Sequence, residues 1–371
     1  MGASRRFFLE IPLFSLAVAA SAGSAFAQST SSVVIWGLLD ADVSHFSQGG
    51  LSKTLLSTSG NAGSQLGFRG TEDLGGGMSA NFWLESGLLN DTGEIFSSTY
   101  FARRSTVGLA GPFGEIRLGR DYTPTWSNHN AFDPFNTSGA GAGSNITTRG
   151  SNPMTLIRAN NSISYLWGYD PNRPANTGRG VYAQLMYALP ENTHGRPALG
   201  RYAGGRLGYA EGPINAAIAY SRSEGTPYAA DAIAGFSSFK EFSLGAAYDF
   251  GVGKLMAHVG TNTSDVPGTK YTHWGIGGRI YAGAGYIPVS YNSIRQSGAT
   301  GAGANQLAAG YVYFFSKRTA VYATVSHIRN KNKGTWTFSG SNGGDNPGFA
   351  TAPGFAYGSG TGYDVGVRTS F

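Results

Sequence analysis

The stretch SQLGFRGTEDLGGG, residues 64–77, alternates apolar and polar side chains and then reaches a run of glycines. In an extended chain Leu66 and Phe68 lie on one face, whereas Gln65, Gly67 and Arg69 lie on the other. The segment TEDLGGG supplies residues that reverse the chain. This stretch therefore predicts a two-faced strand followed by a tight turn, and the rest of the chain repeats the pattern.

The composition favours an all-β fold. The 371 residues include 57 glycines, 20 tyrosines and 22 phenylalanines, and cysteine is absent. Abundant glycine and aromatic residues are typical of many strands joined by turns. Without cysteine the chain forms neither disulfides nor thiolate metal sites.

The first 27 residues have the pattern of a signal peptide. Arg5 and Arg6 precede a mostly apolar run from residue 7 to residue 20, and Ala25-Phe26-Ala27 fits the small-residue cleavage rule. We therefore expect a mature chain of residues 28–371, with 25 basic and 20 acidic residues once Arg5, Arg6 and Glu10 are removed. The mature sequence has no window of eighteen uncharged apolar residues, so any membrane crossing must use strands.

The alternation predicts sixteen strands, and their connections differ systematically in length. Short connections such as 72–77, 110–114 and 282–285 alternate with long ones such as 47–61, 122–155, 223–237 and 329–361. This sorting is typical of an antiparallel barrel in an outer membrane, which must close because hydrocarbon offers no partner to a free strand edge. The predicted strands are 33–46, 62–73, 78–88, 99–111, 113–121, 156–168, 180–189, 202–210, 213–222, 238–250, 252–262, 270–281, 285–293, 304–315, 317–328 and 362–371.

The apolar faces are rich in aromatic residues, as a lipid-facing band would be. Ile163, Tyr165 and Trp167 share one face of their strand, with Asn160 and Ser162 on the other. The alternative is a soluble sandwich or propeller, in which the apolar face would meet a second sheet.

Several stretches together resemble the general porins of Gram-negative outer membranes, in particular the trimeric 16-stranded porins of β-proteobacteria. They include 64–87, 101–122 (FARRSTVGLAGPFGEIRLGRDY), 158–165 (RANNSISY) and 363–371 (YDVGVRTSF), in the order that the family has. The resemblance implies a homotrimer with one pore per subunit. It also implies that the third outer loop, 122–155, folds into the barrel and constricts the pore, and that Phe371 belongs to the signal for membrane insertion.

The resemblance also implies which residues form the constriction. Arg103 and Arg158 match two arginines of the barrel wall, Glu85 matches a wall acid, and Asp133 is the acid that the loop carries. Gln65 stands where the family commonly has a third wall arginine. The alternation places Arg103 on one inward face with Ser105 and Val107, so that Arg104 points outward or toward a subunit contact.

Five further charged residues fall on inward positions and are predicted to line the pore above or below the constriction. Whether they have a selective role or only face a water-filled interior stays open. They are Arg69, Arg117, Asp40, Asp42 and Glu115.

The expected function is passive diffusion of small hydrophilic solutes and ions, with a mild preference for anions because arginines keep their charge at any working pH. Two alternatives stay open: a channel specific for organic acids or phosphate, and a surface adhesin that uses the barrel as a scaffold. We expect no enzyme, cofactor, bound metal or nucleic acid. The sequence has no HExxH or GxSxG motif, and the six histidines are scattered without metal-ligand spacing. The expected partners are the solutes and outer-membrane lipid or lipopolysaccharide.

Overall fold

The computed structural model describes residues 32–147, 155–170, 177–191, 198–224, 238–265, 270–298, 301–338, 347–349, 355 and 357–371. The predicted signal peptide, residues 1–27, lies outside this part of the chain. Two short helices accompany the strands, α1 (Pro124–Ala131) and α2 (Ser144–Thr147). The strands are β1 (Ser32–Gln48), β2 (Leu51–Thr58), β3 (Gln65–Gly75), β4 (Met78–Leu89), β5 (Glu94–Ile95), β6 (Arg104–Gly111), β7 (Gly114–Tyr122), β8 (Arg158–Tyr169), β9 (Gly178–Ala188), β10 (Tyr202–Glu211), β11 (Ile214–Glu224), β12 (Ser238–Asp249), β13 (Gly253–Ser264), β14 (Lys270–Ala282), β15 (Gly285–Gln296), β16 (Gly303–Phe314), β17 (Thr319–Lys331) and β18 (Ser359–Ser370).

The strands form one closed antiparallel barrel with 16 strand positions, which confirms the predicted all-β fold. β1 pairs with β18 on one side and with both β2 and β3 on the other. β2 and β3 therefore share one barrel position, and the two-residue β5 adds only a short pairing beside β4.

One predicted loop is a strand. Residues 51–58 were expected in the connection 47–61, but they form β2 and pair with the outer half of β1. Gly49 and Gly50 form the turn with φ of 60° and 82°. A two-residue hairpin turn with positive φ at both positions favours glycine, so the Gly-Gly pair was the signal for this hairpin.

The two faces of the wall follow the predicted alternation. Ile163, Tyr165 and Trp167 are exposed on the outside of β8, while Ser162 is buried on the inside. Asn160 is exposed rather than inward, because the pairing of β7 and β8 shifts register there and Asn161 adopts a positive φ of 51°. Among the described residues, no helix has the length and apolar character needed to cross a membrane.

The first strand and the C-terminal residue meet where the barrel closes. Gly37 and Phe371 exchange two backbone hydrogen bonds of 3.1 and 3.0 Å. The Phe371 ring lies directly over Gly37 and leaves no room for a Cβ atom there. The start of β1 and Phe371 therefore lie at the end of the barrel that carries the short turns, and the long loops lie at the opposite end.

Candidate functional site

The chain between β7 and β8 is here called loop 3, and its described residues, 123–147 and 155–157, fold into the barrel. Its helix α1 begins with Thr123, whose hydroxyl accepts the Trp126 N–H (3.4 Å), and with Pro124 in the first turn. The Asn128 side chain donates to Ser243 Oγ (2.8 Å) and accepts from Arg206 Nε (3.1 Å). These bonds hold α1 against the inner wall at β10 and β12.

The wall has glycines where loop 3 comes closest. The Phe132 ring occupies the space that a Cβ atom at Gly245 would need, and Pro134 packs in the same way on Gly277. Glycine in a strand often marks such a close approach. Gly245 on β12 and Gly277 on β14 therefore leave room for loop 3 to lie against the wall.

The far end of loop 3 is fixed to the opposite wall. The Ala140 N–H donates to Asp364 Oδ2 (2.6 Å), and the Ala140 carbonyl accepts from Gln306 Nε2 (3.0 Å). Gly139 has a positive φ of 67° and lies against the backbone of Gly60. Loop 3 thus covers the inner wall from β9 round to β18 and leaves the side formed by β3 to β8 uncovered.

Asp133 was predicted to face the wall arginines, and this placement is wrong. Its side chain is buried and its oxygens accept the N–H groups of Phe135 (2.9 Å), Thr137 (3.2 Å) and Gly143 (3.0 Å). Burial raises the pKa of the Asp133 carboxyl. The residue organises the fold of loop 3 because a carboxylate satisfies several backbone donors at once.

Asp40 and Asp42 were predicted to line the pore, but the chain itself covers both of their carboxylates. Asp40 Oδ2 accepts the N–H groups of Asn61 (3.0 Å) and Ala62 (2.6 Å), and Asp42 Oδ1 accepts that of Gly60 (3.2 Å). Their inward orientation was predicted correctly. However, the segment 59–64 folds over them, so they hold that segment instead of facing pore water.

The uncovered wall brings four side chains into one group, here called the neck cluster: Glu85, Arg103, Tyr122 and Arg158. Arg103 Nε donates to Glu85 Oε1 (2.5 Å), and Arg103 Nη2 donates to the Tyr122 hydroxyl (2.9 Å). Arg158 Nη2 donates to the same hydroxyl (2.6 Å), and its guanidinium lies 4.3 Å from the centre of the Tyr122 ring. Tyr122 therefore positions both arginines.

The neck cluster carries a net positive charge. Two guanidinium groups face one carboxylate, because Arg158 forms no salt bridge within the described part of the chain. Gln65 lies on the same inward side, paired with Leu38 and with Gly87, and is half-buried. Gln65 adds no charge. The neck cluster, with two arginines and one glutamate, therefore has a net charge of +1.

The predicted face of Arg104 is wrong. Val107 is 56% exposed on the outer face, whereas Arg104 is buried, donates to Asp121 Oδ2 (3.1 Å) and lies 4.5 Å from the Trp83 ring. β6 begins only at Arg104, so the alternation does not extend back to Arg103. Both arginines consequently point inward, one from the strand and one from the chain before it.

A cavity of about 610 Å³ lies beside the neck cluster, toward the short turns. The predicted pore-lining residues Arg69, Glu115 and Arg117 all line it. Arg117 donates to both oxygens of Glu115 (2.8 Å each) and to Asp121 Oδ2 (2.8 Å). Arg69 lies 5.3 Å from the Trp83 ring. The cavity wall thus carries charges of both signs. The positive charge of Arg117 is largely balanced by the carboxylates of Glu115 and Asp121.

Sequence reasoning missed several residues that form this site. Tyr122, which directly precedes loop 3, was treated only as the start of a loop. Arg279, which faces loop 3, was not considered. Arg279 Nε donates to the Pro134 carbonyl (2.9 Å), and its Nη2 donates to Asn136 Oδ1 (2.6 Å). Inward alternation along β14 could have identified Arg279.

Three histidines that are far apart in the sequence meet behind α1. The ring of His129 lies 5.3 Å from that of His258 and 6.3 Å from that of His273. Burial lowers the pKa of His129 to about 4. In the described residues no group of three or more His, Cys, Asp or Glu side chains is arranged to hold a metal ion. The three rings instead pack loop 3 onto β13 and β14.

Comparison with known proteins agrees with this architecture. Residues 15–333 match the model of the Gram-negative porin family. The chain is 38% identical to outer membrane porin protein 32 of Delftia acidovorans over 87% of this chain and 90% of that protein. Its structure resembles the anion-selective porin from Comamonas acidovorans with a TM-score of 0.77 and 34% identity, covering 92% of this chain and 100% of that one. OmpT of Vibrio cholerae, solved in a trimer form, shares the fold with a TM-score of 0.66 at 15% identity, over 92% of this chain and 99% of that one. The chain therefore belongs to the Gram-negative porin family and forms a barrel in the outer membrane.

Proposed function

We propose that this porin lets small hydrophilic solutes and ions diffuse passively across the outer membrane, with a mild preference for anions. The observation that carries the proposal is the neck cluster, in which Tyr122 accepts from Arg103 and Arg158, and Glu85 is the carboxylate that contacts Arg103 among the residues that the structure describes. A ring of fixed charge beside a water-filled passage sets ion selectivity. The preference is mild because Gln65 contributes no charge.

The proposed assembly is a homotrimer with one pore per subunit, surrounded by outer-membrane lipid or lipopolysaccharide. The trimer follows from the family resemblance. The apolar outer face, including exposed Ile163 and Trp167 on β8, supports contact with lipid. Transport needs no cofactor or energy source, since the solute gradient drives it, and we propose no catalytic role.

Conductance in planar bilayers tests this proposal. We expect large ohmic currents in steps of three, with a reversal potential in a salt gradient that indicates modest anion preference. A cation-selective reversal potential would refute the anion preference. Saturation of the current by a low concentration of one organic acid or of phosphate would instead indicate a specific channel. Absence of conductance would refute both channels and favour an adhesin.

A further inference from the structure

The cavity between the neck cluster and the short turns, here called the turn-side cavity, combines aromatic rings with arginines. Its volume of about 610 Å³ is within the range of small-molecule sites. Trp83 and Tyr169 supply two rings, and Arg69, Arg104 and Arg117 supply three guanidinium groups. Because short turns mark the periplasmic end of an outer-membrane barrel, a solute that moves inward passes the neck cluster first and this cavity afterwards.

In the turn-side cavity the guanidinium groups lie over aromatic rings. The Arg69 guanidinium lies 5.3 Å from the centre of the Trp83 ring, and that of Arg104 lies 4.5 Å from it. The Arg117 guanidinium lies 5.6 Å from the centre of the Tyr169 ring. These distances are typical of cation–π pairs. Since a guanidinium is planar and stacks on aromatic faces, the ring of a bound solute can extend this arrangement.

Within the described part of the chain, Arg69 has no carboxylate partner. By contrast, Arg104 pairs with Asp121 (3.1 Å), and Arg117 pairs with Asp121 and with Glu115 (2.8 Å each). The buried Nε of Arg104 also has no acceptor among the described residues. Three guanidinium groups less two carboxylates leave a net charge of +1, and the half-buried Arg69 carries it.

We propose that the turn-side cavity binds aromatic carboxylates at Arg69. A carboxylate accepts charge-assisted hydrogen bonds from a guanidinium, and an aromatic ring stacks on its plane, so an aromatic carboxylate uses both properties of Arg69. Aliphatic acids and inorganic anions use the charge alone. Binding is in the millimolar range, because a site within a channel must also release its solute. This inference rests on the proposed function, since the solutes reach the cavity by diffusion through the pore.

The test uses the purified barrel in neutral detergent, with 4-fluorobenzoate as the probe. Its binding is measured from the broadening of its fluorine NMR signal, which does not depend on conduction. R69Q removes the guanidinium, whereas R318Q removes an exposed charge from a short turn at the same end of the barrel. We expect R69Q to weaken binding about tenfold, which corresponds to about 1.4 kcal/mol, and R318Q to leave it unchanged. Equal binding by these two variants would overturn the proposal.

A pair of competing acids separates recognition of the ring from recognition of the charge. Benzoate and cyclohexanecarboxylate have the same charge and nearly the same size, but only benzoate is aromatic. Benzoate should displace the probe from the unmodified protein at a lower concentration than cyclohexanecarboxylate does. R69K keeps the positive charge but has no planar group, so this difference should disappear in that variant. Equal displacement by both acids from the unmodified protein, or an unchanged difference in R69K, would also overturn the proposal.

Bilayer conductance distinguishes a failure of this proposal from a failure of the channel proposal. A protein that conducts but binds the probe equally well with and without Arg69 would refute the site and leave the channel intact. A protein that binds the probe at Arg69 but does not conduct would refute the channel and support the site. R69Q should still conduct in steps of three, which verifies that the variant is folded.

Discussion

Glu85 is the residue whose charge most directly limits the anion preference of the neck cluster. Its carboxylate accepts from Arg103 Nε (2.5 Å) and from Trp83 Nε1 (3.1 Å). Glu85→Gln removes one negative charge with little change of volume, so the net charge of the cluster rises from one to two. We therefore expect stronger anion selectivity without a wider passage.

The size of the effect follows from Coulomb's law. An ion passing about 5 Å from the Glu85 carboxylate in water interacts with it by about 0.8 kcal/mol. Screening at 0.1 M salt reduces this energy to about 0.5 kcal/mol. Because anions gain and cations lose by that amount, the anion-to-cation permeability ratio should rise about fivefold.

The assay is the reversal potential of the purified porin in a planar bilayer with a salt gradient around 0.1 M. Glu211→Gln, at an exposed position beside the turn after β10, is the matched control and should leave the ratio unchanged. Near 1 M salt the Glu85 effect should shrink strongly, since the screening length falls to about 3 Å. An unchanged or lower ratio in Glu85→Gln at 0.1 M would refute the charge balance derived for the neck cluster.

Three other changes test the same region. Gln65→Arg should also raise anion selectivity, because it adds a positive charge on the inward face; an unchanged reversal potential would place Gln65 outside the passage. Tyr122→Phe removes the hydroxyl that accepts from Arg103 and Arg158, so single-channel noise should increase while the sign of selectivity stays the same; quiet currents would contradict the positioning role. Lowering the pH from 6.5 to about 4 should loosen loop 3. Burial lowers the pKa of His129 to about 4, whereas an exposed histidine titrates near 6.5, so His129 binds a proton more readily when loop 3 is displaced from the wall. Over this pH range the free energy that holds the loop in place falls by about 3 kcal/mol. Channel flicker of the unmodified protein should increase over that pH range, and flicker of His129→Gln should change less. If flicker did not depend on pH in either protein, the role of His129 would be refuted.

The barrel and the inward loop could be predicted because their signals are local or regular. Alternation fixed the lipid face of β8, and the sorting of connection lengths indicated the two ends of the barrel. The resemblance placed Glu85, Arg103 and Arg158 in one group, and the structure brings them together around Tyr122.

Alternation identifies the face of a residue but not what covers that face. Asp40 and Asp42 point inward as predicted, yet the segment 59–64 folds over them. Arg104 was misplaced because the strand begins at that residue, which no periodic pattern marks. The contact between His129 and His258 depends on the path that loop 3 takes across the wall. The spacing of these residues along the sequence does not reveal that path.

Asp133 separates two accounts of how loop 3 influences selectivity. If its carboxylate faced the passage, Asp133→Asn would make the pore more anion-selective by removing a negative charge. In the structure both oxygens are occupied by three N–H groups of the loop itself. An asparagine has one oxygen, so at least one of those buried donors loses its acceptor, at a cost of about 1–3 kcal/mol.

We therefore expect Asp133→Asn to loosen loop 3 and to leave the reversal potential unchanged. Single-channel flicker and the rate of proteolysis of the folded barrel report the first effect, and the salt-gradient measurement reports the second. Asp249→Asn, at the end of β12 near the short turns, removes the same charge far from loop 3 and serves as the control. A rise in anion preference as large as that of Glu85→Gln would show that Asp133 acts through its charge. In that case charges on both the wall and loop 3 would set the selectivity of this porin. The hydrogen bonds of Asp133 indicate instead that the wall charges alone set it.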